Sequence, residues 1–232
     1  NRRQRLVDLV REARGHFAHG RETAEVREPL LQHACLVLGA APVGHVQREA
    51  AGQALEHHCR FEVLQAQAVE HGLGADWRKW PSAWHDPYHA EVEAFANAYP
   101  AKVEFHAFCQ WLTERSLQRA QEAARGNGMA VGLIADLAVG ADGAGSQAWS
   151  RQDELLAGLS VGAPPDILNH VGQDWGICAF SPEGLKRNGY RAFIEMLRAN
   201  LAHAGGLRID HVMGLRRLWL IPQGAKPSEG AY

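Results

Sequence analysis

Long hydrophobic runs, paired cysteines and an excess of one charge are all missing from this sequence of 232 residues. No apolar stretch approaches the roughly 20 residues that a transmembrane helix needs. The formal net charge of −2 favours neither a nucleic-acid partner nor an anionic membrane surface. The cysteines are widely separated and form no C-x-x-C pair, which predicts reduced thiols and a cytoplasmic protein. They are Cys35, Cys59, Cys109 and Cys178.

Paired metal ligands are also scarce, although the sequence contains 13 histidines. Only His57-His58 and the pair His85 and His89 are close enough in sequence to be considered. Cys59 adjoins the first pair, but three consecutive residues of a helix point in different directions and cannot converge on one ion. Pro87 argues against a helix that would bring the second pair onto one face. We therefore predict no metal site.

Helical periodicity, by contrast, is abundant in the first 70 residues. Apolar side chains at helical spacing predict helices near residues 6–10, 26–38 and 55–66. Residues 73–100 follow as an irregular connector rich in tryptophan and proline. Its indoles can stack on sugar rings or cover the edge of a core. They are Trp77, Trp80 and Trp84. We predict that residues 1–100 form a helical subdomain that ends in this connector.

The second half of the chain predicts strands joined through a long excursion. Helical spacing runs over residues 103–125, and residues 130–139 then form an apolar run with one acidic interruption. Such a run is typical of a strand buried on both faces of a parallel sheet. A helix near residues 190–203 leads into a short buried strand at 207–210, which completes a β-α-β unit. The excursion over residues 140–182 is long for a scaffold loop and is predicted to form part of an active-site wall.

The segment from Leu207 to Gly214 carries the strongest chemical signal. Arg208 and Asp210 lie two positions apart, so a strand places both side chains on one face. A guanidinium beside a carboxylate stabilises the ionised form of the carboxylate. An ionised aspartate at a strand end is suited to act as a nucleophile or as an electrostatic stabiliser. For the motif by itself, a purely structural Arg/Asp pair is the alternative.

Several further blocks surround this motif in the second half of the chain. They are residues 132–140 (GLIADLAVG), 161–166 (VGAPPD), 172–176 (GQDWG), 197–200 (LRAN), 219–222 (WLIP) and 230–232 (GAY). In this order they resemble the 4-alpha-glucanotransferases, also called amylomaltases or disproportionating enzymes, which are relatives of the alpha-amylases. The resemblance runs, with breaks, from Trp80 to Tyr232. The sequence departs from the family at Ile177-Cys178, where Leu-Pro is usual, and at Leu220, where an aromatic residue is common.

The resemblance implies an α/β fold and a longer chain. Residues 101–232 would form part of a (β/α)8 TIM barrel and contribute about two of its strands. The helical subdomain would be inserted on the N-terminal side of this segment. The acid/base Glu and a third carboxylate of the family would lie outside this chain. We therefore expect a piece of a larger enzyme that is inactive by itself.

The resemblance also implies roles for individual residues. By position, Asp210 is the catalytic nucleophile, Arg208 keeps it charged and His211 hydrogen-bonds a sugar hydroxyl. Asp136 matches a structural active-site Asp of the alpha-amylase relatives. A local cap on backbone amides is the alternative for this residue.

Three residues of the excursion resemble a family loop that contacts acceptor sugars. Asp166 and Gln173 would select among sugar hydroxyls, and Trp175 would offer a flat apolar face to a pyranose ring. For Trp175, structural packing is the alternative.

The implied activity is transfer of α-1,4-glucan segments between maltooligosaccharide donors and acceptors, with glucose as a further acceptor. Glucans derived from starch or glycogen would be substrates. No cofactor is expected, because two carboxyl groups carry out a retaining displacement. An α-1,4-glucan hydrolase with the same site is one alternative, and a non-catalytic glucan-binding relative is another. Glucan binding without turnover by the complete gene product would favour the second alternative.

Overall fold

The computed structural model describes residues 52–232. The helices predicted near residues 6–10 and 26–38, together with Cys35, lie outside the described residues. The next predicted helix, near residues 55–66, is confirmed, and it extends from Gln53 to Glu70.

Three helices open the described part of the chain: α1 (Gln53–Glu70), α2 (Ala90–Ala98) and α3 (Pro100–Gly126). Helix α3 confirms the helix predicted over residues 103–125 and begins with Pro100, whose fixed φ suits the first turn of a helix. Helix α1 packs along α3. None of the helices in the described residues is long and apolar enough to cross a membrane.

The core of this helical part is built around aromatic side chains. Trp77, Trp84 and Phe95 pack against its edge. Its fully enclosed members are Phe61, Leu64, Ala68, Trp80, Val92 and Trp149. The indole Nε1 of Trp149 donates to the carbonyl oxygen of Trp84 at 2.7 Å, so the buried ring also has its hydrogen bond. Trp80 and Trp84 therefore pack as part of a core. Core packing is one of the two roles predicted for these tryptophans, and stacking on sugar rings is the other.

The prediction that residues 73–100 are irregular is wrong in part. This segment contains two short 3-10 turns, Trp77–Lys79 and Ser82–Trp84, and then helix α2. The side chain of His89 accepts a hydrogen bond from the backbone amide of Glu91 and so caps α2. Helix α2 is only nine residues long, so its apolar positions give little periodicity to detect.

Two parallel strands follow, and they confirm the β-α-β unit. Strand β1 (Ile134–Leu137) pairs with β5 (Gly206–Ile209), with Asp136 directly opposite Arg208. Helices α5 (Pro182–Arg187) and α6 (Arg191–Leu201) lie between them in sequence. Strand β1 is shorter than the run at 130–139, because Gly132 has a positive φ of 77° and turns the chain. Burial of β1 on both faces is not found in the described residues, where only Leu137 of this strand is buried.

The excursion over residues 140–182 is not a loop. It contains β2 (Ala141–Asp142), α4 (Ser146–Ser150), β3 (Leu159–Ala163) and β4 (Gln173–Cys178). With β6 (Trp219–Pro222) these strands form an antiparallel sheet in the order β2-β4-β3-β6. Close pairing inside it requires glycine at Gly162, where an added Cβ would lie 1.9 Å from the carbonyl oxygen of Gln173. The strands are short, so their alternation is weak in the sequence.

Candidate active site

The parallel register brings Asp136 and Arg208 into a two-pronged ion pair. Arg208 donates from Nε to Asp136 Oδ1 at 2.8 Å and from Nη2 to Oδ2. This side-chain hydrogen bonding, together with the positive charge, holds the pKa of Asp136 below its usual range. Asp136 is therefore ionised at neutral pH.

Asp210 follows immediately after β5, at the carboxyl end of the parallel pair. Its backbone amide donates to the carbonyl oxygen of Leu137 at 3.3 Å, which ties this end of β5 to β1. Arg208 Nη2 lies 3.6 Å from Asp210 Oδ1, so the guanidinium is shared between two carboxylates. The side chains of Arg208, Asp136 and Asp210 are 64%, 55% and 57% exposed. Ion pairs between side chains as exposed as these contribute little to the stability of the fold. Their effect is to hold the guanidinium and the two carboxylates in position.

His211 continues the site with an unusual backbone conformation. Its φ of 44° is in the left-handed region, which residues other than glycine seldom adopt. The Nε2 atom of His211 is buried and has no hydrogen-bond partner within residues 52–232. A buried polar atom without a partner is costly in a folded protein, so this nitrogen is a candidate to bind a ligand hydroxyl.

Trp175 of β4 links the antiparallel sheet to this end of the parallel strands. Its ring meets His211 edge-on, with centroids 5.1 Å apart and the planes at 83°. The indole Nε1 of Trp175 donates to Gln173 Oε1 at 2.9 Å. The structure therefore brings together six of the seven predicted site residues in one chain of contacts. They are Asp136, Arg208, Asp210, His211, Trp175 and Gln173.

Among the described residues, the hydrogen bonds of Asp166 do not connect it to these six. Its Oδ1 accepts hydrogen bonds from the backbone amides of Leu168 and Asn169, both at 2.7 Å. These bonds close the turn between β3 and β4, whose Ile167 and Leu168 are 88% and 90% exposed. In the described part of the chain, the hydrogen bonds of Asp166 are thus confined to its own turn, as in an Asx cap.

A cleft of about 340 Å3 adjoins Asp210 and His211. Its wall includes Leu137 at the end of β1, Phe193 of α6 and Leu215, so it is mostly apolar. Among the described residues that line it, Asp210 is the only carboxylate. Phe180, Leu185 and Leu218 also line this cleft and were not identified from the sequence, since single apolar residues in short elements give no signal for a site.

The adjacent histidines of α1 diverge, as helical geometry requires. The ring of His57 is edge-on to Tyr88, 4.9 Å between centroids, and burial lowers the pKa of His57. The next residue, His58, contacts Ser146 Oγ at 3.0 Å and the side-chain nitrogen of Gln110 at 3.2 Å. Within residues 52–232 there is no cluster of three His, Cys, Asp or Glu side chains that would suit a metal ion.

The fold and the site define an α/β protein with a carboxylate centre at the carboxyl ends of its parallel strands. Comparison with known proteins gives the family. Residues 21–232 match the family model of the 4-alpha-glucanotransferases, and the chain belongs to this family. It is 42% identical over 165 residues to the 4-alpha-glucanotransferase of Mycobacterium tuberculosis. That match covers 71% of this chain and 23% of the relative, so the chain spans about a quarter of the length of the relative.

Solved structures agree with this assignment. The amylomaltase of Corynebacterium glutamicum matches 86% of this chain and 27% of its own, with 32% sequence identity and a TM-score of 0.63. An amylomaltase of Streptococcus agalactiae in complex with acarbose matches 90% of this chain and 43% of its own. Its TM-score is 0.72 at 17% identity, so this second likeness shows the fold alone.

Proposed function

We propose that this chain is part of a 4-alpha-glucanotransferase, which transfers α-1,4-glucan segments between maltooligosaccharides by a retaining double displacement. The observation that carries the proposal is the position of Asp210. This carboxylate follows a parallel strand, lies 3.6 Å from Arg208 and adjoins a cleft. Retaining enzymes use a carboxylate in this way, opposite a second carboxyl group about 5–5.5 Å away. Membership of the 4-alpha-glucanotransferase family supports the same chemistry.

In the proposed reaction, Asp210 attacks the anomeric carbon of the donor glucan. The bond from that carbon to the glycosidic oxygen breaks, and the oxygen takes a proton from an acid outside the described residues. The covalent glycosyl ester on Asp210 is then attacked by a hydroxyl group of the acceptor, which gives its proton to the same acid/base group. Arg208 and Asp136 would hold the nucleophile in position, and His211 Nε2 would bind a hydroxyl of the donor sugar.

The proposed acceptor side is formed by β4 and the turn before it. Trp175 would offer its ring to a pyranose, and its T-shaped contact with His211 would place that sugar beside the reaction site. Gln173 and Asp166 would bind sugar hydroxyl groups.

The proposed substrates are maltooligosaccharides and the glucans derived from starch or glycogen, with glucose as a further acceptor. The Streptococcus agalactiae amylomaltase, which shares the fold, was solved with acarbose bound. We further propose that β1 and β5 are two strands of a (β/α)8 barrel in the complete protein. Residues 1–100 and 101–232 would be its helical subdomain and this barrel segment. A cytoplasmic location is proposed from the scattered cysteines of the sequence, which form no C-x-x-C pair.

Substitution of the nucleophile tests the proposal directly. In the full-length protein, Asp210→Asn should lower transfer from maltotriose by about 10⁴-fold or more, the scale of loss on removing a nucleophile. The melting temperature should change little, because the Asp210 side chain is more than half exposed. Chromatography of the maltooligosaccharide ladder measures transfer, and free glucose measured in the same assay gives the share of hydrolysis.

Asp86→Asn is the matched control. Asp86 is exposed and caps a turn by accepting from the amide of Tyr88 at 2.9 Å, which an asparagine oxygen can also do. This variant should keep the activity and the melting temperature of the parent. Activity of Asp210→Asn within about tenfold of the parent, equal to less than about 1.4 kcal/mol of the barrier, would exclude Asp210 as the nucleophile.

A further inference from the structure

A second cleft, of about 530 Å3, opens between the antiparallel sheet and the 3-10 turn that carries Trp77. Ser160 of β3 and Asp174 of β4 lie on its floor, and Asp142 stands at its side. Its other walls come from Trp77, from the segment 155–158 and from Gln223 and Gly224. Its volume is within the range of about 300–1,000 Å3 that small-molecule sites occupy.

The carboxylates in this cleft are held in fixed orientations. Asp174 Oδ1 accepts from Ser160 Oγ and from the amide of Gly176 at 2.9 Å, and both bonds keep the pKa of Asp174 below its usual range. Asp142 Oδ1 accepts from the amide of Ala144 at 2.8 Å. In the part of the chain that the structure describes, these bonds all end on Oδ1. The Oδ2 atoms of both carboxylates can therefore accept hydrogen bonds from a ligand.

The lining also includes the aromatic ring of Trp77 and the guanidinium of Arg78. The indole Nε1 of Trp77 donates to the carbonyl oxygen of Gly143 at 3.2 Å, which fixes the ring at the edge of the cleft. Arg78 binds Asp76 from Nε at 2.8 Å and from Nη2 at 3.2 Å, so it too is held in place. A preformed wall loses little side-chain entropy when it binds a ligand.

The charge and the polarity of the lining select the ligand class. Arg78 is the one cation among the lining residues, against the two anions Asp142 and Asp174, so an anionic ligand is disfavoured. A neutral ligand with an apolar face and several hydroxyl donors matches the ring, the carboxylates and the serine. These are the properties of a sugar. We propose that this cleft binds a short α-1,4-glucan segment, and the choice of glucan rests on the proposed function.

The cleft is separate from the site that contains Asp210. None of its lining residues lines the cleft beside Asp210 or belongs to the six contacting residues described above. Neighbouring residues of a strand point to opposite faces of the sheet. On β4, Asp174 accordingly bonds to Ser160, whereas Trp175 contacts His211. The same sheet would thus hold one glucan at the reaction site and one on its other face.

Binding stoichiometry in the full-length protein tests this inference. The Asp210→Asn variant, which should bind without turnover, is titrated with maltoheptaose by calorimetry. Two sites per chain are expected. Ala157 is exposed on the wall of this cleft, so adding Ala157→Trp should fill the cleft. The affinity of one of the two sites for maltoheptaose should then fall by about tenfold or more, which corresponds to about 1.4 kcal/mol. Ala120→Trp on the exposed surface of α3 is the control and should leave both sites unchanged.

Each outcome of the titration decides the inference. A single site in the Asp210→Asn protein overturns it, whether or not the Ala157→Trp variant folds. Two sites that both survive Ala157→Trp and Gln223→Ala also overturn it, because the second site is then elsewhere. Transfer from maltotriose by the parent enzyme is measured in parallel. An active parent with one glucan site leaves the proposed function intact and removes only this second site, whereas an inactive parent contradicts the proposed function itself.

Discussion

Arg208 bonds to one carboxylate and lies close to a second, and the two contacts differ in kind. Asp136 receives two hydrogen bonds from the guanidinium, whereas Asp210 lies at 3.6 Å from Nη2, beyond a normal hydrogen bond. The stronger contact therefore holds the arginine, and Asp210 keeps its oxygens available on an exposed side chain. A nucleophile must have its lone pairs free, so this division suits the proposed reaction.

This arrangement predicts how the site responds to pH. The pKa of Asp136 is lower in the folded protein than in the unfolded chain, where it is about 3.9. Its ion pair therefore stabilises the folded state above about pH 3.9, and this stabilisation is lost as the pH falls through the folded pKa. Arg208→Gln removes the charge and should return the pKa of Asp136 towards its usual range. Carboxyl-carbon NMR of the aspartates across an acid titration measures this change. An Asp136 titration that is the same in parent and variant would show that the ion pair is absent in solution.

Trp175 should control acceptor binding more than stability. Its ring forms a T-shaped pair with His211 and its Nε1 donates to Gln173, so the ring is held in place and can bind a sugar at little entropic cost. Trp175→Ala should raise KM for maltotriose by roughly threefold to tenfold, corresponding to about 0.5–1.5 kcal/mol of aromatic contact. Trp111→Ala on α3, which removes an indole stacked on Phe108, is the comparison. It should lower the melting temperature with KM unchanged, and the same pattern in Trp175→Ala would make Trp175 a packing residue.

At the scale of elements, a buried acid anchors the end of α4 to the helices before β5. Glu154 is 2% exposed, accepts from Asn188 Nδ2 at 3.1 Å and lies 3.6 Å from Arg151. Arg151 also donates to Glu195 of α6. Arg151 thus connects the segment after α4 with the helix that leads into β5.

Removal of Arg151 should therefore be costly. Arg151→Ala leaves the buried Glu154 without its cation, which typically costs about 3–5 kcal/mol. We expect a large fall in melting temperature by scanning calorimetry. Arg187→Ala breaks a pair with Glu183 in which both side chains are well exposed, and it should change the melting temperature little. Equal effects of the two variants would show that the Arg151 contacts are as weak as a surface pair.

The elements divide clearly into those that the sequence predicts and those that it does not. The sequence predicts helices α1, α3 and α6 and the parallel strands β1 and β5, because helical patterns and short apolar runs are local signals. It does not predict the antiparallel sheet, whose residues it assigns to a loop. Its pairs join distant residues such as Ala141 and Cys178, and its bends depend on Gly162 and Gly176, so no local alternation reveals it.

The sequence likewise predicts only part of the candidate site. The motif at 208–211 is local, and its proximity to Asp136 and Trp175 follows only once strands are paired. The register that sets Asp136 opposite Arg208 depends on contacts 72 residues apart in sequence, which no spacing rule supplies. The hydrogen bonds of Asp166 close a local turn, and the motif does not reveal them either. The Arg208→Gln variant tests the contact of Asp136, and the Trp175→Ala variant tests the role of Trp175.

At the scale of the whole molecule, the described residues contain one of the two carboxyl groups that the proposed mechanism needs. Asp210 is the only carboxylate lining its cleft in residues 52–232, and Asp136 is engaged by Arg208. Glu229 is in the 3-10 turn Pro227–Glu229 and accepts from the amide of Lys226 at 2.7 Å, so it serves as a local cap. Protonation of the leaving oxygen accordingly needs a group from outside this region.

We therefore predict that the 232-residue chain alone does not transfer glucan. Residues 52–232 place no second carboxyl group in the cleft of Asp210, so this region supplies no proton partner for the leaving oxygen or the incoming hydroxyl. General acid–base catalysis typically contributes about 10²–10⁴-fold. The purified chain is incubated with maltotriose, and products are followed by chromatography beside the full-length protein, which should form longer maltooligosaccharides. Tryptophan fluorescence of the 232-residue chain during thermal melting establishes that the silent sample is folded. Longer maltooligosaccharides formed in proportion to the amount of this chain, and abolished by Asp210→Asn, would show that the chain contains its own acid/base group.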